Sequence, residues 1–568
     1  MTATIPAAVE APVVLDPTPP TRLRASRPDL LLCGAVLAAI LLVQGWNTTG
    51  FPALSDDEGT YLAQAWAVQE GKGLAHYTYW YDHPPLGWLQ LALVTWLPAA
   101  LFPDAMSVAP MRVAMLLVTA VSAVLLYVLA RRLGLRRWAA ALAMALFGLS
   151  PLSVVLQREI FLDNIAVLWI LLAFCLAASP RRHLWHHFGA GLAAAVAVLS
   201  KETMLVVLPA LLLTMWRHTH RDTRKFAVTG AITACVLTGL AYPLFALLNH
   251  ELFPGDGHVS LIDGIKYQMS RAGSGFILDD RSGAHAVLRS WLYYDRVLPI
   301  AGLAAAVLLL AAARWSPTGR ALAGPATAAT ILALVALRPS GYLPAMYVIQ
   351  MLPFLALALA GAVSAALEPL RAQIQPLRAT IQPLRRLRSG GPGAEPLEET
   401  GRGGTGADST PRRPALIRRA ATLIIALTAA ATVTPHWYDA TRTALTTDTN
   451  APYRAAAHWL RDKANVPDPS STRVLADDAI WLDLVHAGYR PGTGAVWFYK
   501  ADLDPAIGKT LPRGWRDVDY VVASPTVRRD APTLPLVKAA LTNSETVASF
   551  GEGDGRIEIR RVKRAEAR

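Results

Sequence analysis

The feature that most constrains this chain is a series of apolar runs, each about long enough to cross a bilayer. They lie at roughly 28–46, 112–130, 138–155, 164–180, 188–200, 203–216, 226–249, 297–314, 321–337, 342–361 and 415–434. About 20 helical residues span the hydrocarbon core. Inside lipid each backbone N–H and C=O must be satisfied within its own segment, so such runs fold as helices. Composition agrees: 53% of the 568 residues are hydrophobic and 17% charged, with a mean hydropathy of +0.33. An ordinary soluble enzyme is excluded, and a polytopic helical membrane protein with a soluble part is expected.

The formal net charge of +13 first suggests nucleic acid. Its distribution argues against that partner, because the basic residues cluster in short runs between apolar blocks and in one linker, as positive-inside loops do. Cys33, Cys175 and Cys235 lie within apolar runs and form neither a disulfide framework nor a metal-ligand spacing. Arg22, Arg24 and Arg27 precede the first run, which ends without a small-residue cleavage site and reads as a retained anchor.

The same charges set the topology. Arg131-Arg132 with Arg136-Arg137, Arg181-Arg182, and Arg217 with Arg221, Arg224 and Lys225 each follow an apolar run. They fall on one side with the N-terminal arginines only if 188–200 and 203–216 form a hairpin broken at Lys201-Glu202. This reading gives eleven spans in a plasma-membrane, multi-pass protein. Residues 1–27 are a cytoplasmic tail, 28–363 a transmembrane domain with its first outer loop at 47–111, and 364–414 a cytoplasmic basic linker. Residues 415–434 are the last span and 435–568 an extracytoplasmic domain.

In the first outer loop, 60–70 reads as an amphipathic helix and 86–101 as a Trp-rich interfacial helix, with an ordinary span as its alternative. Prolines at seven-residue spacing in 368–387 argue against a continuous helix. The Gly-, Pro- and Glu-rich 389–414 cannot bury a core. Beyond 451 a helix (452–463), a strand (473–477), a helix (479–486) and strands at 519–524 and 556–560 alternate. A small α/β domain without a glycine-rich nucleotide fingerprint follows.

One polar stretch stands out, Ser55-Asp56-Asp57-Glu58-Gly59-Thr60-Tyr61, running on to Asp82-His83-Pro84-Pro85-Leu86-Gly87. Three consecutive carboxylates beside a membrane need a reason, since desolvating them costs several kcal/mol. They lie either in a solvated loop, where acids suit a helix N-terminus, or at the mouth of a wet cleft. The topology gathers Asp56, Asp57, Glu58, Asp82, His83, Arg158, Glu159, Asp163 and Lys201 on one face. Arg158 and Asp163 form either a compensating pair, or Arg158 and Lys201 neutralise a phosphate while a carboxylate takes a proton from an attacking hydroxyl.

Asp57-Glu58-x-x-Tyr61, His83-Pro84-Pro85-Leu86-Gly87, Arg158-x-x-x-Leu162-Asp163 and Ser200-Lys201 together resemble the membrane-embedded GT-C glycosyltransferases. The most similar groups are the protein O-mannosyltransferases and aminoarabinose transferases, glycosyltransferase family 39 and its relatives, over roughly residues 28–360. The His-Pro-Pro form matches the mannosyltransferases; the aminoarabinose enzymes carry Lys where this chain has His83.

The resemblance implies transfer of a sugar from a polyprenyl-phosphate donor on the extracytoplasmic side. Asp57 is then the base or acceptor-orienting acid, with Glu58 beside it and Asp163 as the second-loop acid. Asp56, Tyr61, His83, Arg158 and Lys201 would hold substrate or phosphate. A single displacement inverts the anomeric centre. A divalent metal between acids and phosphate is compatible with this chemistry, although no ligand set is legible. The acceptor is a protein, a glycan or a lipid. Two other readings remain at this stage: a flippase for a lipid-linked glycan, and a non-catalytic envelope scaffold.

Overall fold

The computed structural model describes residues 26–101, 106–255, 258–372 and 434–563. The expected last span, most of the linker and the N-terminal tail lie outside these residues.

Each apolar run up to 361 falls on a helix, but fewer of the helices are simple spans than expected. Among the described residues, five are long and apolar enough to cross alone: Arg27–Gly45, Val108–Arg132, Arg224–Leu248, Val297–Arg314 and Pro317–Ala336. A sixth counts if the pair Arg137–Leu149 and Pro151–Arg158, bent by 59°, is one broken span. Leu162–Ala177, Leu184–Ser200 and Leu352–Leu367 are apolar but shorter. The shortening has local causes. Ser150-Pro151 starts a new helix, Ser150 accepting from the Ser153 amide as its cap. The run at 342–361 begins as the 3-10 turn Ala345–Gln350. Such breaks bring polar side chains to membrane depth, where irregular backbone is tolerated only inside protein or beside a cavity.

The hairpin expected around Lys201 is present. Leu184–Ser200 ends, Lys201 is extended (φ −153°, ψ 112°), and the chain returns through Leu208–His218. Thr219 Oγ1 lies 3.4 Å from His187 Nε2, so the end of the return segment sits beside the start of the outgoing one. Exposed Leu30, Leu31, Leu42, Leu117, Val236, Leu237, Leu308 and Leu334 form the outward faces of these helices, as lipid contact requires.

The first loop holds the helix Asp56–Gln69 and the broken apolar helix Leu86–Val94 and Trp96–Leu101. A second loop carries Leu261–Ser270 and Gly283–Tyr294. After residue 450 comes a five-stranded sheet: β1 (Val474–Ala476), β2 (Ala495–Trp497), β3 (Tyr520–Ala523), β4 (Ser544–Phe550) and β5 (Ile557–Val562). Its order is β2-β1-β3-β5-β4. β1 runs parallel to β2 and β3, while β5 is antiparallel to β3 and β4. The α/β reading of this region holds. Sequence pattern alone missed β2, only three residues long, and β4, largely solvent-facing with a bulge between Thr546 and Ala548.

The sheet domain is packed directly on the first loop. A Cβ on Gly59 would lie 2.0 Å from the Asp478 carbonyl oxygen, and one on Gly492 would lie 2.7 Å from Tyr77 Cβ. Buried Lys500 donates to the carbonyls of His76 (2.5 Å) and Tyr79 (2.9 Å). The first loop and the C-terminal domain therefore share one side of the membrane.

Candidate active site

A cleft of about 360 Å³ opens where three parts of the chain meet. Asp56, Asp57 and Thr60 come from the helix Asp56–Gln69, and Trp80, Asp82 and His83 from the loop after it. Tyr267, Gln268 and Arg271 come from the second loop, and Asp478, Tyr499, Thr526 and Asp530 from the C-terminal domain. The helix starts at Ser55, so its first turn presents all three acids to the positive end of the backbone dipole.

That turn divides the acids. Asp57 is half-buried, lines the cleft, and makes no hydrogen bond or ion pair among the described residues. Asp56, beside it, is pushed up to about 8, first by burial and then by the charges of Asp477 and Asp57. Glu58 points the other way. It is fully buried and receives Arg112 Nε at 2.8 Å, Arg112 Nη2 at 2.6 Å, the Ile160 amide at 3.0 Å and the Ser55 amide at 3.1 Å. Its oxygens are occupied, and it does not line the cleft. The expectation that Glu58 works beside Asp57 on a substrate is revised by this geometry, because consecutive residues on a helix point about 100° apart.

Below the cleft runs a row of ionic groups. His83 Nε2 lies 2.9 Å from Lys201 Nζ, and His83 Nδ1 lies 3.0 Å from Glu202. With the ring neutral, Lys201 donates to Nε2 and Nδ1–H donates to Glu202. Burial opposes a charge on the ring, Glu202 favours it, and the net shift is upward. Protonation would turn Nε2 into a donor and break the Lys201 bond. Lys201 is 3.8 Å from Asp163, which also accepts from Gln350 Nε2 at 2.6 Å. Tyr61, 2% exposed, stacks on Trp88 and packs against His83. The structure thus brings His83, Lys201 and Asp163 together, with Tyr61 behind them.

Arg158 is elsewhere. Its guanidinium donates to the carbonyls of Val43 (2.6 Å), Ala444 (3.1 Å) and Phe51 (3.4 Å). It makes no ion pair with Asp163 and does not line the cleft, but ties the end of the first helix to the segment that leads into the C-terminal domain.

Of the other residues of the cleft, Arg271 carried no sequence signal. Arg271 lines it, stacks on Tyr342 with its guanidinium carbon 3.6 Å from the ring centroid, and has no carboxylate partner among the described residues. It stands in a polar loop where nothing in its neighbours marks it out. Asp82 was visible beside His83, and its Oδ1 is buried without a partner. Among the described residues no three His, Cys, Asp or Glu side chains are grouped as metal ligands.

Comparison with known proteins gives this geometry a context. Residues 74–250 match the family model of the dolichyl-phosphate-mannose-protein mannosyltransferases. The fold is similar to ArnT from Cupriavidus metallidurans bound to undecaprenyl phosphate, with TM-score 0.53, 16% identity, and 94% of this chain and 98% of that one covered. It is also similar to the oligosaccharyltransferase of Archaeoglobus fulgidus. The apo form gives TM-score 0.50 and 13% identity, covering 92% of this chain and 74% of that one. The form tethered to an acceptor peptide gives TM-score 0.50 and 11% identity, covering 94% and 74%. No curated protein matches the chain by sequence. The chain has the fold of the GT-C membrane glycosyltransferases. Within that class its mannosyltransferase-like segment contains the His83-Pro84-Pro85 loop and the Lys201 hairpin.

Proposed function

We propose that the protein transfers a sugar from a polyprenyl-phosphate donor to an acceptor hydroxyl, on the extracytoplasmic face, by one inverting displacement with Asp57 as base. The observation that carries this reading is the Asp57 carboxylate, without a hydrogen bond or ion pair among the described residues, in a cleft that also holds Arg271, whose partners there are the Gln268 side chain and the Tyr342 ring and not a carboxylate. A base needs free lone pairs within reach of the proton it takes, and a phosphate leaving group needs a cation that is not already neutralised.

In this mechanism the acceptor hydroxyl attacks the anomeric carbon as Asp57 Oδ takes its proton. The bond from that carbon to the phosphate oxygen breaks, and its electron pair leaves on the lipid phosphate. Arg271 receives the departing charge with a planar donor fork suited to phosphate. Lys201, 6% exposed and tied to His83 and Asp163, adds positive potential from below and orders the His83 loop. Asp163 and Glu202 hold those two groups in place. A base contributes about 10²–10⁴-fold; the rest comes from holding donor and acceptor together in the closed site. The apolar outer faces of the helices suit a donor that arrives through the bilayer. ArnT, whose structure holds undecaprenyl phosphate, is a precedent for such a donor on this fold.

The test is transfer from a panel of polyprenyl-phosphate sugars to crude envelope acceptor by purified wild-type protein and Asp57→Asn. The expected result is donor consumption by wild type and its loss, by about 10²–10⁴-fold, in the variant. Full activity in Asp57→Asn would overturn the assignment of the base. No consumption of any donor by folded wild type would overturn the transferase reading.

A further inference from the structure

The C-terminal sheet points at the cleft with its chemically active end. β1 has β2 on one side and β3 on the other, all parallel. The chain leaves β1 for β2 on one side and crosses from β2 to β3 on the other, so the strand order switches at β1 and a crevice opens beyond the carboxyl ends of these strands. In open α/β sheets that is where ligands bind. Here β1 ends at Ala476 and is followed by Asp477 and Asp478, and β3 ends at Ala523 and is followed by Ser524 and Thr526. Asp478 and Thr526 both line the cleft that holds Asp57.

Asp478 is 1% exposed, yet only one of its oxygens is used. Oδ2 accepts from Tyr499 OH at 2.9 Å and from Thr60 Oγ1. Oδ1 is buried and has no partner. Leaving a buried carboxylate oxygen unmet costs free energy unless a ligand or water supplies a donor. Burial, followed by the charge of Asp56, drives the Asp478 carboxyl well above its ordinary range, so the open cleft penalises its ionised form and a hydroxyl donor to Oδ1 would offset that cost. The walls around it are aromatic: Trp80, Tyr267, Phe498 and Tyr499. A carboxylate oxygen beside ring faces matches a sugar, which offers hydroxyl donors at its rim and C–H groups on its faces. A peptide would ask instead for backbone-pairing edges, and the parallel strands end here rather than presenting one.

We propose that Asp478 of the C-terminal domain is a substrate-binding residue, its Oδ1 accepting a hydrogen bond from a hydroxyl of a glycosyl ring held in the cleft. This deepens the transferase reading, and it makes the C-terminal domain part of the site rather than a cover. The ring could belong to the donor or to a glycan acceptor, and the two have the same chemistry.

The experiment separates them, and it reads binding rather than turnover, so it stands even if no transfer is found. Intrinsic tryptophan fluorescence of full-length wild type, Asp478→Asn and Asp478→Ser is titrated with three probes: a short-chain polyprenyl-phosphate mannose, the same polyprenyl phosphate without sugar, and octyl mannoside. Thermal unfolding of each variant shows that it is folded, and Asp478→Ser serves if the amide does not fold. The sugar-free phosphate should bind all three proteins alike. At least one glycosylated probe should lose about tenfold or more in both variants, the size of one lost hydrogen bond. Loss for the phosphate sugar alone places the donor's ring at Asp478, and loss for octyl mannoside places an acceptor glycan there. Equal affinity of wild type and both variants for both glycosylated probes overturns the proposal, as does a wild type that binds neither.

Discussion

Asp57 and Glu58 are neighbours in sequence, yet they serve two different regions. Around Glu58 each donor has an acceptor: Arg112 also bonds the carbonyls of Thr48 (3.1 Å) and Pro52 (2.8 Å), closing a dry knot that holds the loop onto the helix Val108–Arg132. Around Asp57 the groups are left incomplete: Asp57 itself, Arg271, and one oxygen each of Asp82 and Asp478. Saturated polar groups fix a structure, whereas these unsatisfied ones line an open cleft. One turn of helix anchors the site with one acid and exposes the other.

This contrast can be broken most forcefully in the knot. Removing one member of a buried ion pair strands the other, at a cost of about 3–5 kcal/mol. Glu58→Gln and Arg112→Met should each lose that much in reversible unfolding in detergent, and the double variant should recover part of it. Single variants with wild-type stability would dissolve the distinction.

A smaller effect is expected at Arg158, whose three carbonyl partners are each held by a charged donor. Arg158→Met should lose about 2–3 kcal/mol of stability while donor KM, per folded molecule, stays unchanged. A raised KM with unchanged stability would return Arg158 to the phosphate. Arg271→Ala should do the opposite, raising donor KM about 10–100-fold with thermal stability intact, as for one lost charge-assisted bond.

A further way to sharpen the comparison is a pH dependence. The Asp56 pKa is raised in the folded protein, to about 8, so the folded state holds a proton that the unfolded chain has already released. Stability from this group is therefore present below about pH 4 and falls as pH rises toward 8. Asp56→Asn should flatten the fall in melting temperature between pH 5 and pH 8 and exceed wild type at the upper end. A parallel pH profile for the two proteins would contradict the assignment.

Much of the fold was legible in the chain because lipid imposes a simple rule: the apolar runs up to 361 mark the helices, and the arginine clusters identified the Lys201 hairpin. The number of clean spans was not legible. Breaks such as Ser150-Pro151 and the 3-10 turn at Ala345–Gln350 are short, and they interrupt runs whose hydropathy stays high. In the site, His83, Lys201 and Asp163 could be grouped because all three flank spans on one face. Which of two adjacent acids is free could not be read, because Arg112 looks like the polar start of an ordinary apolar helix. Arg271 and Asp478 were missed for a related reason. Each acquires meaning only from the docking of a distant segment; at Asp478, Gly59 permits that docking by lacking a side chain.

The most direct test of the division between the two acids is the transfer rate per folded molecule in Asp57→Asn and Glu58→Gln, measured side by side at a temperature where both are folded. The account predicts a fall of about 10²–10⁴-fold for Asp57→Asn with its melting temperature preserved, and a near-normal rate for the fraction of Glu58→Gln that folds. A stable Glu58→Gln that has lost transfer, beside an Asp57→Asn that retains it, would contradict the account.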